Sequence, residues 1–407
     1  MREGEVRWVN TKPNKRQPKK KKTTPALKIT LICGVVLIFA MIACAAIFLD
    51  VYRPSLDTDA PPFNVDLVTP PDDKLNNNDD PNEDVYKRDT EVVNFLVAGR
   101  DKDAWNTDVL MLVNFNMRDY TLNVLQIPRD TYIEIDSVRG RVNTIMKTMR
   151  AAAYTRDPSL SGTEMMKAGM QGTVELLEKS LCVQIDGYAI VNLEGFRNII
   201  NVIGGVYMDV PYDMDYEDPD QDLYIHLEAG PQTLDGAEAE MFVRFRDAYV
   251  QGDIGRVNAQ KIFLTALFKQ LKNNLTISTI PALAEQVLKY VTTDISLADI
   301  IIYAKELLKV DMEKVSMMTL PGKDARSSST GAWYYIMHRA DALSAVNEYF
   351  NVYNKDITDE LFDATHAFTD EDHAEFAQIY FAEPSGTGVE TADKIDAGEL
   401  DIPLISK

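Results

Sequence analysis

An uncharged apolar tract at residues 29–49 divides the chain into two parts of opposite charge. An α-helix rises about 1.5 Å per residue, so this tract would span roughly 31 Å, enough to cross the hydrocarbon core of a bilayer. Residues 1–28 carry ten Lys or Arg and two Glu, a net charge of +8. The positive-inside rule therefore predicts a single-pass transmembrane helix in the cell membrane, with residues 1–28 as a basic cytoplasmic tail and the rest extracytoplasmic. The alternative is a cleaved signal peptide, which the Ala-rich stretch at residues 43–46 would allow.

The segment after the basic tail is strongly acidic. Because the whole chain has a net charge of −21, residues 29–407 carry −29. This excess argues against a nucleic-acid partner, which would require clustered Lys and Arg to contact phosphates. Cys182 is the one cysteine beyond the apolar tract, so we expect a folded part that has no intrachain disulfide.

Hydrophobic periodicity places the folded domain at residues 91–350. The preceding stretch, 50–90, is rich in Pro, Asn and Asp and is typical of an extracytoplasmic linker. Within the domain, short apolar runs typical of buried strands alternate with amphipathic helical stretches. This alternation predicts an α/β fold, a layered α-β-α domain in which helices cover both faces of a mixed central sheet. Residues 351–407 are acidic and poor in periodic apolar residues, which predicts a disordered tail.

Several common catalytic sites are not favoured by the sequence. The four histidines do not cluster with Cys or with paired carboxylates, so a zinc site is not expected. The chain contains neither a Gly-x-Ser-x-Gly elbow nor a Gly-Lys-Ser phosphate loop. Serine hydrolases of the elbow type and P-loop enzymes are therefore excluded.

Two aspartates lie at the ends of predicted strands. Asp101 follows the apolar run Val92–Val97, and Asp108 directly precedes the run Val109–Phe115. Both carboxylates can therefore lie at one edge of the sheet, where they would suit Mg²⁺, a hard cation that proteins hold through one or two carboxylates. The alternative is that each aspartate serves only as a turn or cap residue.

Arginines recur at the ends of predicted elements in this otherwise acidic domain. Arg244 and Arg246 flank Phe245, so an extended segment would direct both to one side. Arg256 and Gln260 share a helix face through their i, i+4 spacing. Two interpretations stay open: surface salt bridges to the many carboxylates, or a clamp on pyrophosphate, whose oxygens match the guanidinium fork. The arginines concerned are Arg129, Arg141, Arg244, Arg246 and Arg256.

Eight short motifs follow one another in a set order along the chain. They are Gly99-Arg100-Asp101, Asn106-Thr107-Asp108, Ile127-Pro128-Arg129-Asp130-Thr131, Arg141-Val142-Asn143, Asn192-Leu193-Glu194-Gly195-Phe196, Ile203-Gly204-Gly205-Val206, Val243-Arg244-Phe245-Arg246, and Gly252-Asp253-Ile254-Gly255-Arg256 with Gln260. Their order resembles the LytR-CpsA-Psr family over about residues 92–272, and more weakly as far as 350. The resemblance implies a membrane-anchored, Mg²⁺-dependent phosphotransferase. Such an enzyme moves a teichoic-acid-like or capsular glycopolymer from a polyprenyl-pyrophosphate carrier to peptidoglycan and forms a phosphodiester bond.

The resemblance also implies a role for each matched residue. Asp101 and Asp108 would bind Mg²⁺. Asp130 would lie beside the pyrophosphate, either as general base or as the partner of a neighbouring arginine. The remaining catalytic groups would be Arg129, Arg244, Arg246 and Arg256, and the substrate-binding groups Arg141, Asn143, Asp253 and Gln260. The chain departs from the family at Asn106 and Ala259, where many members have Arg.

Two other functions are compatible with the same resemblance. The first is a non-catalytic surface protein that binds lipid-linked polymer or acts in regulation. The second is a pyrophosphatase that releases the polymer to water. A stripe of Met166, Met170, Ile262 and Phe263 would fit either a lipid tunnel or ordinary core packing.

Overall fold

The computed structural model describes residues 86–100, 105–135, 138–219, 223–245, 253–362 and 371–400, apart from the side chains of residues 253 and 254. The predicted cytoplasmic tail, transmembrane helix and most of the linker lie outside these residues. Within the described ranges, no helix combines the length and apolar character needed to cross a bilayer.

Fifteen strands form in the described part of the chain. In order they are β1 (Val92–Arg100), β2 (Thr107–Asn116), β3 (Thr121–Gln126), β4 (Tyr132–Ile135), β5 (Val138–Arg141), β6 (Gly187–Asn192), β7 (Val206–Val210), β8 (Met214–Asp218), β9 (Leu223–Leu227), β10 (Gly230–Leu234), β11 (Val291–Thr293), β12 (Val315–Thr319), β13 (Gly322–Arg326), β14 (Trp333–Met337) and β15 (Glu390–Thr391).

Eleven α-helices accompany them in the same described ranges. They are α1 (Ile145–Arg156), α2 (Gly162–Leu181), α3 (Leu193–Val202), α4 (Gly236–Arg244), α5 (Asp253–Asn274), α6 (Ile280–Val287), α7 (Leu297–Leu307), α8 (Arg339–Ala345), α9 (Asp359–Phe362), α10 (Glu371–Tyr380) and α11 (Ala392–Asp396). A π-helical turn, Val346–Phe350, continues α8.

A mixed seven-stranded sheet forms the centre of the domain, in the order β11-β6-β1-β2-β3-β12-β15. Strand β1 pairs antiparallel with β2 and parallel with β6, and β3 pairs parallel with β12. The C-terminal ends of β1, β3, β6 and β12 therefore meet the start of β2 at one edge of the sheet. This edge is where the sequence placed most of the candidate site residues.

Side chains of each central strand alternate between two apolar cores, one on each face of the sheet. In β1, Val93, Phe95 and Val97 enter a core that they share with α3, α4, α5, α7 and α11. Leu96 and Ala98 enter the opposite core, which includes α1, α2, α8 and α10. The predicted α/β class with a mixed central sheet covered on both faces is confirmed.

The predicted lipid-tunnel stripe is divided between the two cores. Phe263 is buried in the core that contains α5. Met170 is buried in the core that contains α2, on the other face of the sheet. These side chains therefore cannot line one tunnel, and their packing is that of ordinary core residues.

The expectation of a disordered tail is wrong for residues 351–362 and 371–400. Phe362, Phe376 and Tyr380 are fully buried against the sheet. Strand β15 extends the sheet by pairing antiparallel with β12, and α11 packs on the opposite core. The apolar residues of this segment are few, but they lie on the inner faces of helices too short to produce a clear periodicity in the sequence.

Candidate active site

A pocket opens at the sheet edge where β2 begins and β3 ends. Its lining comes from Asp108–Leu110 in β2, from Gln126–Arg129 at the end of β3, and from Arg256, Val257 and Gln260 in α5. The amide of Ile127 donates to the carbonyl of Leu110 at 2.8 Å, which extends the β2–β3 pairing past the last residue of β3. The pocket brings together four of the predicted site residues: Asp108, Arg129, Arg256 and Gln260.

The turn after β3 holds Arg129 and Asp130 in place. Pro128 has no amide hydrogen and so ends the strand pairing, while its carbonyl accepts from the Thr131 amide at 2.9 Å and from Thr131 Oγ1 at 2.6 Å. The Asn143 amide donates to the carbonyl of Arg129 at 3.1 Å. This hydrogen bond joins the backbone of Ile127–Thr131 to that of Arg141–Asn143. The side chains of Arg129 and Asp130 therefore project from a turn whose backbone is held in place.

Charges alternate along a row of four side chains that starts in the pocket. Arg129 Nη1 lies 3.2 Å from Asp108 Oδ1, and Arg129 Nε lies 3.6 Å from Asp130 Oδ2. Arg141 Nε lies 3.2 Å from Asp130 Oδ1. All four side chains are partly exposed, and such pairs contribute little to stability. The row therefore adds little folding energy, and Arg129 and Arg141 are paired with carboxylates as the salt-bridge interpretation predicts.

Asp130 contacts a guanidinium group through each of its carboxylate oxygens. These contacts are the pairing with neighbouring arginines that is one of its two predicted roles. Arg141 is held further by its Nε and Nη2, which donate to the carbonyl of Trp333 at 3.0 and 2.8 Å. Its guanidinium carbon also lies 5.5 Å from the centre of the Tyr334 ring.

Helix α5 contributes the opposite wall of the pocket. Gln260 Nε2 donates to the Val243 carbonyl at 3.2 Å, and Gln260 Oε1 accepts from Gln126 Nε2 at 3.3 Å. Gln260 thus joins α5 to the end of α4 and to β3. Arg256, one helical turn earlier, is only 8% exposed, so its guanidinium forms part of the inner wall. The predicted shared face of Arg256 and Gln260 is confirmed.

Arg244 is the last residue of α4, and the prediction that it belongs to an extended segment is wrong. The helix starts at Gly236 because Asp235 and Glu238 form a reciprocal capping box, which favours helix over the segment that follows. Arg244 Nη1 lies 2.7 Å from Glu240 Oε1, and Arg197 Nη1 lies 3.1 Å from Glu240 Oε2. Arg244 does not line the pocket, and Glu240, which holds it, was not among the predicted residues.

The other predicted residues have differing positions. Oδ1 of Asn143 is buried and accepts no hydrogen bond from the described residues. Asp253 is the first residue of α5, with its side chain outside the description, and Asp101 and Arg246 lie outside the described residues. Ala259, one of the two positions at which the resemblance implies a departure from the family, is fully buried in the core.

The donor chemistry of the pocket fits Mg²⁺ through Asp108. Its partly exposed carboxylate is the hard oxygen ligand that this cation prefers, with water and phosphate oxygens completing the shell. Among the described residues, no three His, Cys, Asp or Glu side chains are close enough to hold a metal together. Of the two predicted ligands, the described residues place Asp108 in this pocket, and a cation held there would also need oxygens from water or a bound phosphate.

The chain is thus an α/β protein with a pocket at its sheet edge that is lined by Asp108, Arg129 and Arg256. Residues 68–351, more than half of the chain, match the LytR_cpsA_psr family model. The chain belongs to the LytR-CpsA-Psr family.

Two curated relatives carry transferase names. The polyisoprenyl-teichoic acid–peptidoglycan teichoic acid transferase TagV of Bacillus subtilis is 30% identical over 230 residues, which are 56% of this chain and 55% of TagV. The transferase TagU of Bacillus mycoides, with the same descriptive name, is 28% identical over 262 residues, which are 64% of this chain and 78% of TagU. The chain thus spans little more than half the length of TagV.

Solved structures support the same fold. The crystal structure of B. subtilis TagV is similar with a TM-score of 0.52 and 26% identity, over 63% of this chain and 95% of that one. A Streptococcus agalactiae protein has a TM-score of 0.52 at 18% identity, over 63% of this chain and 86% of that one, and this likeness concerns the fold alone.

Proposed function

We propose that the protein transfers a teichoic-acid-like glycopolymer from a polyprenyl-pyrophosphate carrier to peptidoglycan and forms a phosphodiester bond. The observation that carries this proposal is the pocket in which Asp108, Arg129 and Arg256 meet at the sheet edge of a strongly acidic chain. Guanidinium groups concentrated at one pocket suit a pyrophosphate, since each fork can bind two phosphate oxygens. The transferase names of TagV and TagU support the choice of polymer and acceptor.

The reaction needs no covalent intermediate with the protein. A hydroxyl oxygen of the acceptor attacks the phosphorus that bears the glycopolymer and forms a new P–O bond, while the bond from that phosphorus to the bridging oxygen breaks. Polyprenyl phosphate leaves with the bonding electron pair. Arg129 and Arg256 stabilise the negative charge that grows on the leaving oxygens, which is the main way that proteins accelerate phosphoryl transfer.

The proton of the acceptor hydroxyl requires a carboxylate nearby, and Asp130 is our candidate. Because Asp130 is paired with Arg129 and Arg141, it can take the proton only when one of these contacts lengthens. Its lasting role is to orient the two guanidinium groups, which is a positioning role.

We infer that Mg²⁺ is the cofactor, held by Asp101 and Asp108. When bound, it would supply positive charge that offsets the charge of the pyrophosphate. Asp108→Asn should then raise the Mg²⁺ concentration that gives half of the maximal rate, because an amide binds the cation less well than a carboxylate. An unchanged Mg²⁺ titration would contradict this assignment.

We further propose that residues 29–49 anchor the protein in the cell membrane, with the catalytic domain on the extracytoplasmic side. A polyprenyl carrier lies in the bilayer, so an anchored enzyme meets its donor at the membrane surface. Treatment with protease tests this orientation. The domain should be protected in inside-out vesicles and cleaved in intact cells.

The test of function is a reconstituted reaction with full-length protein, polyprenyl-pyrophosphate-linked polymer, Mg²⁺ and peptidoglycan strands. We expect Arg256→Ala to lower kcat by about 10²–10³-fold, as removal of a transition-state donor does. Arg256→Lys should recover little, because an ammonium cannot reproduce the bidentate fork. Arg156→Ala, at the exposed end of α1, is the control and should behave as wild type.

Product analysis separates the three candidate functions. Polymer linked to peptidoglycan supports transfer, and free polymer released with or without peptidoglycan would instead indicate a pyrophosphatase. Donor binding without turnover would indicate a non-catalytic binding protein. Equal rates for Arg256→Ala and wild type would overturn the arginine clamp.

A further inference from the structure

A second pocket lies beside the pair formed by Asp130 and Arg141. One wall is the β4–β5 hairpin, through Ile133 and Val138–Arg141, and the other is the start of α1, through Thr144, Ile145 and Thr148. It is the roomier of the two pockets. Arg129 lines the first pocket and Arg141 lines the second. Asp130 lies 3.6 Å from Arg129 Nε and 3.2 Å from Arg141 Nε, so two ion pairs that share Asp130 connect the pockets.

The walls of the second pocket combine apolar and polar surface. Ile133, Val138 and Ile145 supply apolar side chains, and Arg139 and Arg141 supply guanidinium groups. A few polar groups converging on an apolar surface are typical of sites for small organic ligands. A sugar ring matches this lining because it has C–H faces and hydroxyl edges, and an attached carboxylate would find a cation in Arg139.

The two threonines present acceptor oxygens to this space. Thr144 Oγ1 donates to the Arg141 carbonyl at 2.8 Å, and Thr148 Oγ1 donates to the Thr144 carbonyl at 3.0 Å. A hydroxyl that donates one hydrogen bond keeps its lone pairs for another. Both oxygens are therefore suited to accept from sugar hydroxyls.

Gly140 in β5 lines the second pocket and has a backbone conformation that favours glycine. Its φ of +141° lies in the region that side-chain-bearing residues rarely adopt, and a Cβ built there would lie 4.0 Å from Thr144 Oγ1. This backbone conformation within β5 therefore depends on glycine at this position. Arg141 in turn is fixed from outside the pocket by the Trp333 carbonyl.

We propose that this second pocket binds a sugar residue of the peptidoglycan acceptor and directs its hydroxyl toward the pyrophosphate site. The inference rests on the proposed transferase function and deepens it. Phosphoryl transfer needs the attacking and leaving oxygens roughly in line. An acceptor held in the second pocket would lie beside Asp130 and Arg141, next to Arg129 of the first pocket.

The test narrows the second pocket without touching the pyrophosphate site. Thr148→Trp places a large ring into the space from an exposed position of α1. The matched control is Thr155→Trp on the same helix, where Thr155 is also exposed and Oγ1 makes the same type of hydrogen bond, to the Ala151 carbonyl at 2.9 Å. Steady-state kinetics with peptidoglycan strands should show at least a tenfold higher acceptor KM for Thr148→Trp, with donor KM unchanged and Thr155→Trp equal to wild type.

A second variant covers the case in which Thr148→Trp does not fold. Arg139→Ala removes a guanidinium group from the exposed hairpin, and we expect it to raise the acceptor KM with the donor KM unchanged. A raised donor KM in either variant would mean that the pocket holds the carrier's polymer instead, and an unchanged acceptor KM in the folded variants would overturn the pocket assignment. Failure of wild type to transfer polymer to strands would instead overturn the proposed function itself.

Discussion

At the scale of single residues, Glu240 shows how a buried carboxylate can organise arginines that lie outside the pocket. It is 8% exposed and contacts the guanidinium groups of Arg244 and Arg197. In the sequence it is one of many acidic residues, and its i, i+4 spacing to Arg244 is that of an ordinary helix-surface pair. Glu240 differs from the other acidic residues in being buried. Whether a single side chain is buried depends on tertiary packing, which the neighbouring sequence does not indicate.

Glu240→Gln tests whether Arg244 needs this partner to act. The amide keeps the shape but loses the charge, so Arg244 should become less fixed. If Arg244 takes part in the reaction, kcat should fall about tenfold with the fold intact, while Glu240→Asp should restore part of the loss. Glu175→Gln, at an exposed position of α2, is the control for removal of a carboxylate. Wild-type kcat in Glu240→Gln would show that Arg244 serves only in packing.

Glu178 makes the stability of the domain depend on pH. Burial raises the pKa of its carboxyl to about 7, although the Ile185 amide donates to Oε1 at 2.8 Å. A folded-state pKa above the unfolded one means that the native state holds the proton more tightly. Its contribution to stability is therefore complete below pH about 4.5 and is lost as the pH rises through about 7.

Glu178→Gln should remove this part of the pH dependence. The amide resembles the protonated carboxyl, so the variant should gain stability relative to wild type between pH 5 and pH 7.5, by at most about 3 kcal/mol. Urea unfolding at both pH values measures the difference. A parallel pH profile in wild type and Glu178→Gln would show that the Glu178 carboxyl titrates outside this range.

At the scale of elements, the long apolar patterns predicted the core of the sheet correctly. The predicted runs Val92–Val97 and Val109–Phe115 lie within β1 and β2, because residues buried on both faces give continuous apolar sequence. The β4–β5 hairpin was missed, since its strands have four residues each and include charged side chains. A pattern this short cannot be distinguished from a loop.

The candidate site was predictable to the extent that it follows from strand ends. Asp108 and Arg129 meet because β2 and β3 are neighbours, which consecutive strands commonly are. The contact of Arg141 with the Trp333 carbonyl joins residues 192 positions apart. Such a contact depends on how β14 packs beside β4, and no local sequence signal predicts it.

Three buried asparagines connect the central strands to the end of the helix that follows β14. Asn114 Nδ2 donates to Asn94 Oδ1 at 2.9 Å, and Asn123 Nδ2 donates to Asn114 Oδ1 at 3.2 Å. Asn94 and Asn123 also donate to the carbonyls of Phe350 and Tyr349 at 2.9 and 3.1 Å. These carbonyls end the π-helical turn, where the helix itself offers no donor.

Asn114→Ala should destabilise the domain by about 2–3 kcal/mol, because it leaves buried polar atoms of Asn94 without their partner. Chemical denaturation measures the loss. In a double-mutant cycle, Asn94→Ala combined with Asn114→Ala should cost less than the sum of the two single changes. A loss under about 0.5 kcal/mol for Asn114→Ala would mean that the row of amides does not stabilise the sheet.

At the scale of the whole molecule, the segment beyond residue 351 continues the fold past the end of the family match. Helix α10 packs against the hairpin side of the site, where Phe376 contacts the rings of Tyr132 and Tyr334. On the other side, Glu390 and Asp396 reach α5, the helix that carries Arg256 and Gln260. The segment thus contacts both walls of the candidate site, which its acidic composition did not predict.

The two ion pairs between this segment and α5 differ in burial. Lys261 Nζ lies 2.9 Å from Glu390 Oε2, with the lysine side chain 3% exposed. Lys269 Nζ lies 2.5 Å from Asp396 Oδ2, with the lysine side chain 50% exposed. Burial lowers the pKa of Lys261, and the Glu390 carboxylate opposes that shift. The free energy of unfolding should therefore depend strongly on the Lys261–Glu390 pair and weakly on the Lys269–Asp396 pair.

Glu390→Ala should lower the free energy of unfolding by about 3 kcal/mol, because it leaves a buried ammonium without its carboxylate. Asp396→Ala, which removes the partner of the exposed Lys269 on the same helix α5, should cost less than about 1 kcal/mol. Urea unfolding of both variants gives the comparison, and raising the pH should reduce the loss in Glu390→Ala as Lys261 deprotonates. Equal, small losses in the two variants would show that the C-terminal segment does not hold α5 through Lys261. The position of Arg256 in the pocket would then depend on Gln260 and the core contacts of α5.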